Sequence, residues 1–270
     1  MFYFCTMQYF KNIFNFYLKA SIHVALAIVC LIHLSHQMLN ISSDAEWFIF
    51  LFLGILCGYN ILKYTAFWVK NGFNPSLPQR IFGFTMFLMI FLVYFFLKFT
   101  SSLQYKLLFF LLGFLIYPII RNYAVGKLSF VALTVSCLTV LLPIFYTGEA
   151  FEFPFGLFLQ QFFLVFALLV PFEIADVTTD ALKFPTLPQR MGIHQFKILG
   201  YGSIFLYFVL ALFQDTPLVL SLFFLGSSIL ATGMSNPQRS FYFTAFWVEA
   251  IPILGWLVYF SFQVLQDFLF

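Results

Sequence analysis

FGLFLQQFFLVFALLVPFEIADVTTDALKFPTLPQRMG, residues 155–192, is the stretch from which the fold is read. Its first part is a mostly apolar run of bilayer length. A helix rises 1.5 Å per residue, so about 20 such residues cross a hydrocarbon core ~30 Å thick. Its second part turns acidic, then basic. Glu173, Asp176 and Asp180 close the run. At 3.6 residues per turn, spacings of three and seven keep all three carboxylates within an arc of ~60°. An ionised carboxylate beside hydrocarbon costs a few kcal/mol unless something offsets it, and three like charges on one face repel. A divalent cation would remove both penalties and leave positive charge for an anionic ligand. After the acids, Lys183, Pro185, Pro188, Arg190 and Gly192 make the chain basic and end the helix.

The rest of the chain fits a membrane setting. Of 270 residues, 63% are hydrophobic and 9% charged, and mean hydropathy is +0.98. Soluble domains carry about 25% charged residues. This composition predicts an all-α polytopic membrane protein, integral and multi-pass, and no nucleic-acid partner. In a bacterium its place would be the cytoplasmic (inner) membrane. Apolar runs fall near 16–37, 46–68, 82–99, 104–120, 128–146, 155–177, 196–213, 217–233 and 241–265, which predicts about nine transmembrane helices in a single domain over residues 1–270. Tyr9, Lys11, Tyr17 and Lys19 suggest an amphipathic lead-in to the first run. Cys5, Cys30, Cys57 and Cys137 form no CxxC, so neither a disulfide framework nor a cysteine metal cluster is expected. No cleavable signal peptide is expected either, because the first ten residues lack a basic start.

Lysine and arginine set the orientation. With a cytoplasmic N-terminus, nine spans put Lys11, Lys19, Lys63, Lys70, Arg80, Arg121, Lys127, Lys183, Arg190, Lys197 and Arg239 on the cytoplasmic side. Only Lys98 and Lys106 fall outside, where Asp44, Glu46, Glu149, Glu152 and Asp215 also lie. The acids of residues 173–180 then stand on the cytoplasmic side among the bases.

The order Glu173-x-x-Asp176-x-x-x-Asp180, a linker with Lys183, Thr186-Leu187-Pro188, then Arg190 and Gly192, resembles the second aspartate motif of the UbiA superfamily of intramembrane prenyltransferases. The resemblance implies a UbiA-like bundle with a central cavity open to the cytoplasmic side. It implies transfer of an isoprenyl group from a polyprenyl diphosphate to a lipophilic acceptor, often an aromatic ring, with Mg²⁺ as cofactor. Glu173, Asp176 and Asp180 would be the metal ligands. Asn60, Lys63, Arg80, Arg121, Lys183 and Arg190 would hold the diphosphate, and Tyr64, Trp68 and Tyr117 would line the acceptor side.

Elsewhere the likeness is partial. The family's first motif, Asn-x-x-x-Asp-x-x-x-Asp, corresponds to Asn60, Tyr64 and Trp68, so both aspartates are replaced. Neither aromatic suits Mg²⁺, which takes hard oxygen ligands. Read without the family, these residues are an interfacial aromatic belt with a snorkelling Lys63. Tyr117-Pro118-Ile119-Ile120-Arg121 resembles a Tyr-Pro-x-x-base element, and Arg121 alone reads equally as a membrane anchor. PSLPQR at 75–80 and PTLPQR at 185–190 nearly repeat. They suggest two related halves, around 46–99 and 155–213, or shared proline-turn chemistry. His33 and His36 read as interfacial histidines or, less simply, as a metal pair. Glu249 lies within the last run and has no role in this scheme. Loss of the first-motif acids supports a second reading: a weakened or inactive protein of this fold that binds isoprenoid or lipid, or scaffolds a membrane protein partner. A transporter using the acid cluster is a third.

Overall fold

The computed structural model describes residues 2–71, 76–115, 124–147, 152–178 and 186–269, among which there is no strand. The chain opens with α1 (Phe2–Lys19) and α2 (Ile22–Met38), which meet at a 50° bend. α3 (Ala45–Asn71), α4 (Leu77–Lys98), α5 (Ser101–Leu115) and α6 (Ala124–Thr147) follow. α7 (Phe155–Ala175) runs into a 3-10 turn, Asp176–Thr178. Then come the five-residue α8 (Leu187–Met191), α9 (Ile193–Phe213) and α10 (Leu218–Met234). A π-helical segment, Phe243–Val248, precedes α11 (Ala250–Leu269).

Six of these helices are long and apolar enough to cross a bilayer, and the bent α1–α2 pair makes up to seven. α10 is apolar but only 17 residues long, and α5 has 15 described residues. Among the described residues six or seven spans are thus found where the sequence reading expected about nine. Such a set is compatible with an integral multi-pass membrane protein.

Packing follows from which faces are buried. α2, α6, α7, α9, α10 and α11 contact one another in that cyclic order, and α11 returns to α2. Between them lies a core that includes Leu31, Val135, Leu164, Tyr207, Phe224 and Ile251. A second core lies on the other side of α2 and α6, where Trp47, Phe50, Leu103 and Leu142 join α3 and α5. α2 and α6 are therefore a shared wall. α4 is peripheral: Ile81 and Thr85 are its only buried residues. Its apolar Phe87, Ile90, Phe91 and Leu97 are exposed, as suits a helix facing lipid.

The polar residues sort to the two ends of the bundle. At one end Lys98 Nζ meets Glu46 at 2.6 Å, a half-exposed pair joining α4 to α3. His36 lies near this end, fully partnered. Its Nδ1–H donates to the Ile32 carbonyl at 2.9 Å, and its Nε2 accepts the Trp47 indole N–H at 3.2 Å. His33 Nδ1 accepts the Trp256 indole N–H at 3.2 Å. The two histidines thus act as anchors for tryptophan rather than as a metal pair. At the opposite end Lys197 Nζ donates to the Gly233 carbonyl at 2.9 Å and Arg239 Nε to the Met234 carbonyl at 3.0 Å. Both bases cap the C-terminus of α10, where its dipole is negative. This second end also carries the acids of α7.

Candidate functional site

α7 delivers the acids. Pro171 stands inside this helix and has no N–H for the carbonyl four residues back. Two residues later Glu173 is buried, and its Oε1 meets Lys127 Nζ of α6 at 2.9 Å. Both side chains are largely shielded, so each charge compensates the other's loss of water. Asp176 begins the 3-10 turn and is exposed. Asp180 and Lys183 lie outside the described residues, as do Tyr117 and Arg121.

After α7 the chain is tied back to it. Thr186 is the N-cap of α8, with Pro188 in the first turn, and its backbone N–H donates to Gln189 Oε1 at 2.7 Å. Gln189 Nε2 donates to the Val177 carbonyl at 2.6 Å. The same glutamine therefore starts α8 and fastens it to the turn carrying Asp176. Gly192, at φ 86°, stops α8 after five residues, a backbone state that glycine adopts without strain. Arg190 is exposed in the last turn of α8, just beyond this tie.

The echo of this loop shares an extended N-cap and an early proline, but Gln79 Oε1 makes none of the contacts that Gln189 Oε1 makes. Ser76 is the N-cap of α4, with Pro78 in its first turn and Gln79 and Arg80 following. Each copy of Ser/Thr-Leu-Pro-Gln-Arg starts a helix, one of 22 residues and one of five. An extended N-cap hydroxyl residue and an early proline are what a helix start favours. Arg80 is exposed at the start of α4.

The first-motif positions on α3 serve structure. Asn60 is fully buried and uses every part of its amide. Its Oδ1 accepts the Ser21 hydroxyl at 2.7 Å, and its Nδ2 donates to the Ala20 carbonyl and to Thr85 Oγ1, both at 3.1 Å. The Tyr64 hydroxyl donates to the Lys19 carbonyl at 2.8 Å. Asn60 and Tyr64 thereby satisfy carbonyls at the end of α1, where a helix lacks its own donors. They also hold the elbow, where Ser21 takes a left-handed conformation at φ 60°. The Trp68 indole N–H donates to the Pro78 carbonyl at 2.9 Å, and its ring stacks on Tyr64 with centroids 5.9 Å apart. Lys63 points past this wall, its Nζ 5.3 Å from the Tyr64 ring centre and 5.9 Å from that of Tyr59.

The π-helical segment meets the elbow. His23 Nε2–H donates to the Phe246 carbonyl at 3.0 Å, and the Tyr17 hydroxyl donates to His23 Nδ1 at 2.7 Å. Because a carbonyl can only accept, these two bonds assign the proton to Nε2 of a neutral ring. The His23 and Phe246 rings stack with centroids 5.0 Å apart. The Tyr242 hydroxyl donates to Asn15 Oδ1 at 2.7 Å. Glu249 follows the π turn directly, half-buried. Lys63 stands within its electrostatic reach, and Lys19 and Asp176 within that of Lys63.

Glu173, Asp176, Asn60, Lys63, Tyr64, Trp68, Arg80 and Arg190 thus share one end of the bundle. Among the described residues no three His, Cys, Asp or Glu side chains form a group able to hold a metal ion. Glu173 is matched by an ammonium, and Asp176 is exposed at the start of the 3-10 turn. One carboxylate suits Mg²⁺ that arrives with phosphate oxygens, since this ion needs few protein ligands when a phosphate supplies the rest. The sequence reading treated Lys127 only as a topological charge. Nothing local links it to Glu173, 46 positions away, and only the packing of α6 on α7 joins them. Comparisons with family models, with curated proteins and with solved structures find no match.

Proposed function

We propose that this chain is an intramembrane prenyltransferase-type protein that binds a polyprenyl diphosphate at the acidic end of α7, for transfer to a lipophilic acceptor. One observation carries the reading: Gln189 ties the Thr-Leu-Pro-Gln-Arg segment back to the turn after Glu173 and Asp176. The two halves of the motif, acids and base, are thereby held at one end of the bundle.

The chain's own residues act as follows. Arg190 and Arg80 are exposed at that end, and a guanidinium bonds two phosphate oxygens at once. Lys183 and Arg121 join them by resemblance. Asp176, with Asp180 by resemblance, would hold Mg²⁺ carried in by the diphosphate. The ion would offset charge on the leaving diphosphate as the allylic C–O bond breaks. Lys127 keeps the buried Glu173 compensated and α6 fixed to α7. The apolar bundle gives the isoprenyl chain a dry environment.

A second reading, binding without transfer, has specific support as well. Asn60, Tyr64 and Trp68 are all engaged in hydrogen bonds that hold helices together. The first-motif positions therefore offer no acid for a second ion. Calorimetry of geranylgeranyl diphosphate with the protein in nanodiscs, with and without Mg²⁺ and beside Asp176→Asn, tests both. Transfer predicts binding that needs Asp176 and release of diphosphate when acceptors are supplied. Binding without release supports the second reading. No binding overturns both.

A further inference from the structure

Two bases meet on one short stretch of backbone. Lys197 Nζ, from α9, donates to the Gly233 carbonyl at 2.9 Å, and Arg239 Nε donates to the Met234 carbonyl at 3.0 Å. These carbonyls are consecutive and close α10. In a helix, neighbouring carbonyls point the same way along the axis and lie about 3.5 Å apart. Lys197 Nζ and Arg239 Nε therefore stand at most ~10 Å apart, over the same helix end.

Capping uses little of what these groups carry. An ammonium has three N–H donors and a guanidinium five, and each gives one to these carbonyls. The helix end sets about half a negative charge against two full positive ones. Among the described residues neither base forms an ion pair. Nor do their own elements supply an acid: residues 181–214 and 216–248 contain no Asp or Glu.

The turn Asn236-Pro237-Gln238-Arg239 places the guanidinium, and it holds the third Pro-Gln-Arg of the chain, after 78–80 and 188–190. The Arg239 N–H donates to the Asn236 carbonyl at 3.0 Å, and the Gln238 N–H to Asn236 Oδ1 at 2.9 Å. The guanidinium lies 5.5 Å from the centre of the Phe243 ring. Tyr201, one turn beyond Lys197 on α9, reaches the same helix end. Its hydroxyl is 3.4 Å from where a Cβ on Gly233 would stand, and Gly233, with no side chain, leaves that spot exposed.

Beside this polar end the surface is apolar. Ile198 and Leu199 next to Lys197, and Leu230 and Met234 on α10, are exposed, as suits helices facing lipid. A fitting ligand therefore has an anionic group at the helix end and hydrocarbon along the helix sides. With Nε engaged, the two terminal nitrogens of Arg239 still bond two phosphate oxygens, and Lys197 adds a point charge. A headgroup carrying its own ammonium would meet two cations and no carboxylate.

We propose that Lys197 and Arg239, with the Tyr201 hydroxyl, bind the phosphate of an anionic phospholipid whose acyl chains lie against Ile198 and Leu230. The site uses none of the residues assigned to the polyprenyl diphosphate and stands whether or not transfer occurs.

Native mass spectrometry of the full chain in detergent compares dioleoyl phosphatidylglycerol with dioleoyl phosphatidylcholine, which differ in headgroup alone. Phosphatidylglycerol should bind roughly twentyfold more tightly, at about fivefold for each base. Lys197→Met and Arg239→Gln should each lose about fivefold of this preference, whereas Lys197→Arg should keep it. Binding of geranylgeranyl diphosphate should survive both neutral variants, and the phosphatidylglycerol preference should survive Asp176→Asn. Equal binding of the two lipids to the unmodified chain overturns the proposal, even if no variant folds. So does a preference that folded Lys197→Met and Arg239→Gln both retain. Loss of diphosphate binding in both neutral variants would merge the two sites and overturn it as well. Displacement of phosphatidylglycerol by millimolar inorganic phosphate would make the ligand a free anion and overturn the assignment to lipid.

Discussion

Asn60→Asp puts an acid where the prenyltransferase resemblance has an asparagine, and the structure expects it to do harm. The change is nearly isosteric, so packing is not the issue. The carboxylate still accepts from Ser21, whose hydroxyl lies 2.7 Å from Oδ1. It cannot donate to the Ala20 carbonyl or to Thr85 Oγ1, each 3.1 Å from Nδ2. The carbonyl loses its partner and faces a negative oxygen. Thr85 already gives its hydroxyl proton to the Ile81 carbonyl at 2.8 Å, and turning to the carboxylate would break that bond. Two lost bonds at about 1 kcal/mol each, with an unmet buried carbonyl at about 1–3 kcal/mol, give a destabilisation of roughly 3–5 kcal/mol. A domain of this size then melts roughly 5–15 °C lower. Melting in nanodiscs measures the total, and trypsin cleavage after Lys19, at the elbow, locates it. Cleavage should accelerate in Asn60→Asp and not in Tyr59→Phe. An Asn60→Asp protein that melts as before with Lys19 still protected would refute the structural role assigned here.

Three further outcomes follow from described contacts. Lys127→Met or Glu173→Gln alone should cost about 3–5 kcal/mol because one buried charge loses its partner, whereas the double variant should recover most of it; a thermodynamic cycle in detergent measures the coupling. His36→Ala leaves the buried Trp47 indole N–H without its acceptor, and should cost about 1–3 kcal/mol and shift Trp47 fluorescence as its surroundings change. Gly255→Ala puts a methyl group where the Phe224 ring stands, 2.5 Å from its nearest carbon, and should cost about 1–3 kcal/mol in thermal unfolding, with relief by Phe224→Leu.

The all-helical class, with several apolar helices of bilayer length, was legible because the length of an apolar run is visible without any contact. The helix starts at Ser76 and Thr186 were read as a loop and as the end of a helix, because the apolar runs that mark a span begin later, at 82 and 196. The elbow was not legible either. Ala20-Ser21 carries no glycine or proline, and the bend depends on Asn60, 39 positions from Ser21. The π turn hangs on His23, 223 positions from Phe246. For Glu173 the sequence offered a metal ligand, and the structure adds Lys127, brought by α6. The elbow, the π turn and the Glu173 pair are each defined by a partner on another helix.

The elbow has a mechanical consequence. α1 leaves the bundle with Gln8 to Phe14 exposed, the set of residues that would rest against headgroups at the membrane surface. Its far end is clamped: the Lys19 carbonyl by Tyr64, the Ala20 carbonyl by Asn60. α1 is thus a lever with its fulcrum at Ser21 and its short arm bolted to α3 one residue from Lys63. A force that tilts the long arm is transmitted to Tyr64, and from there to the ring stacked on it, Trp68.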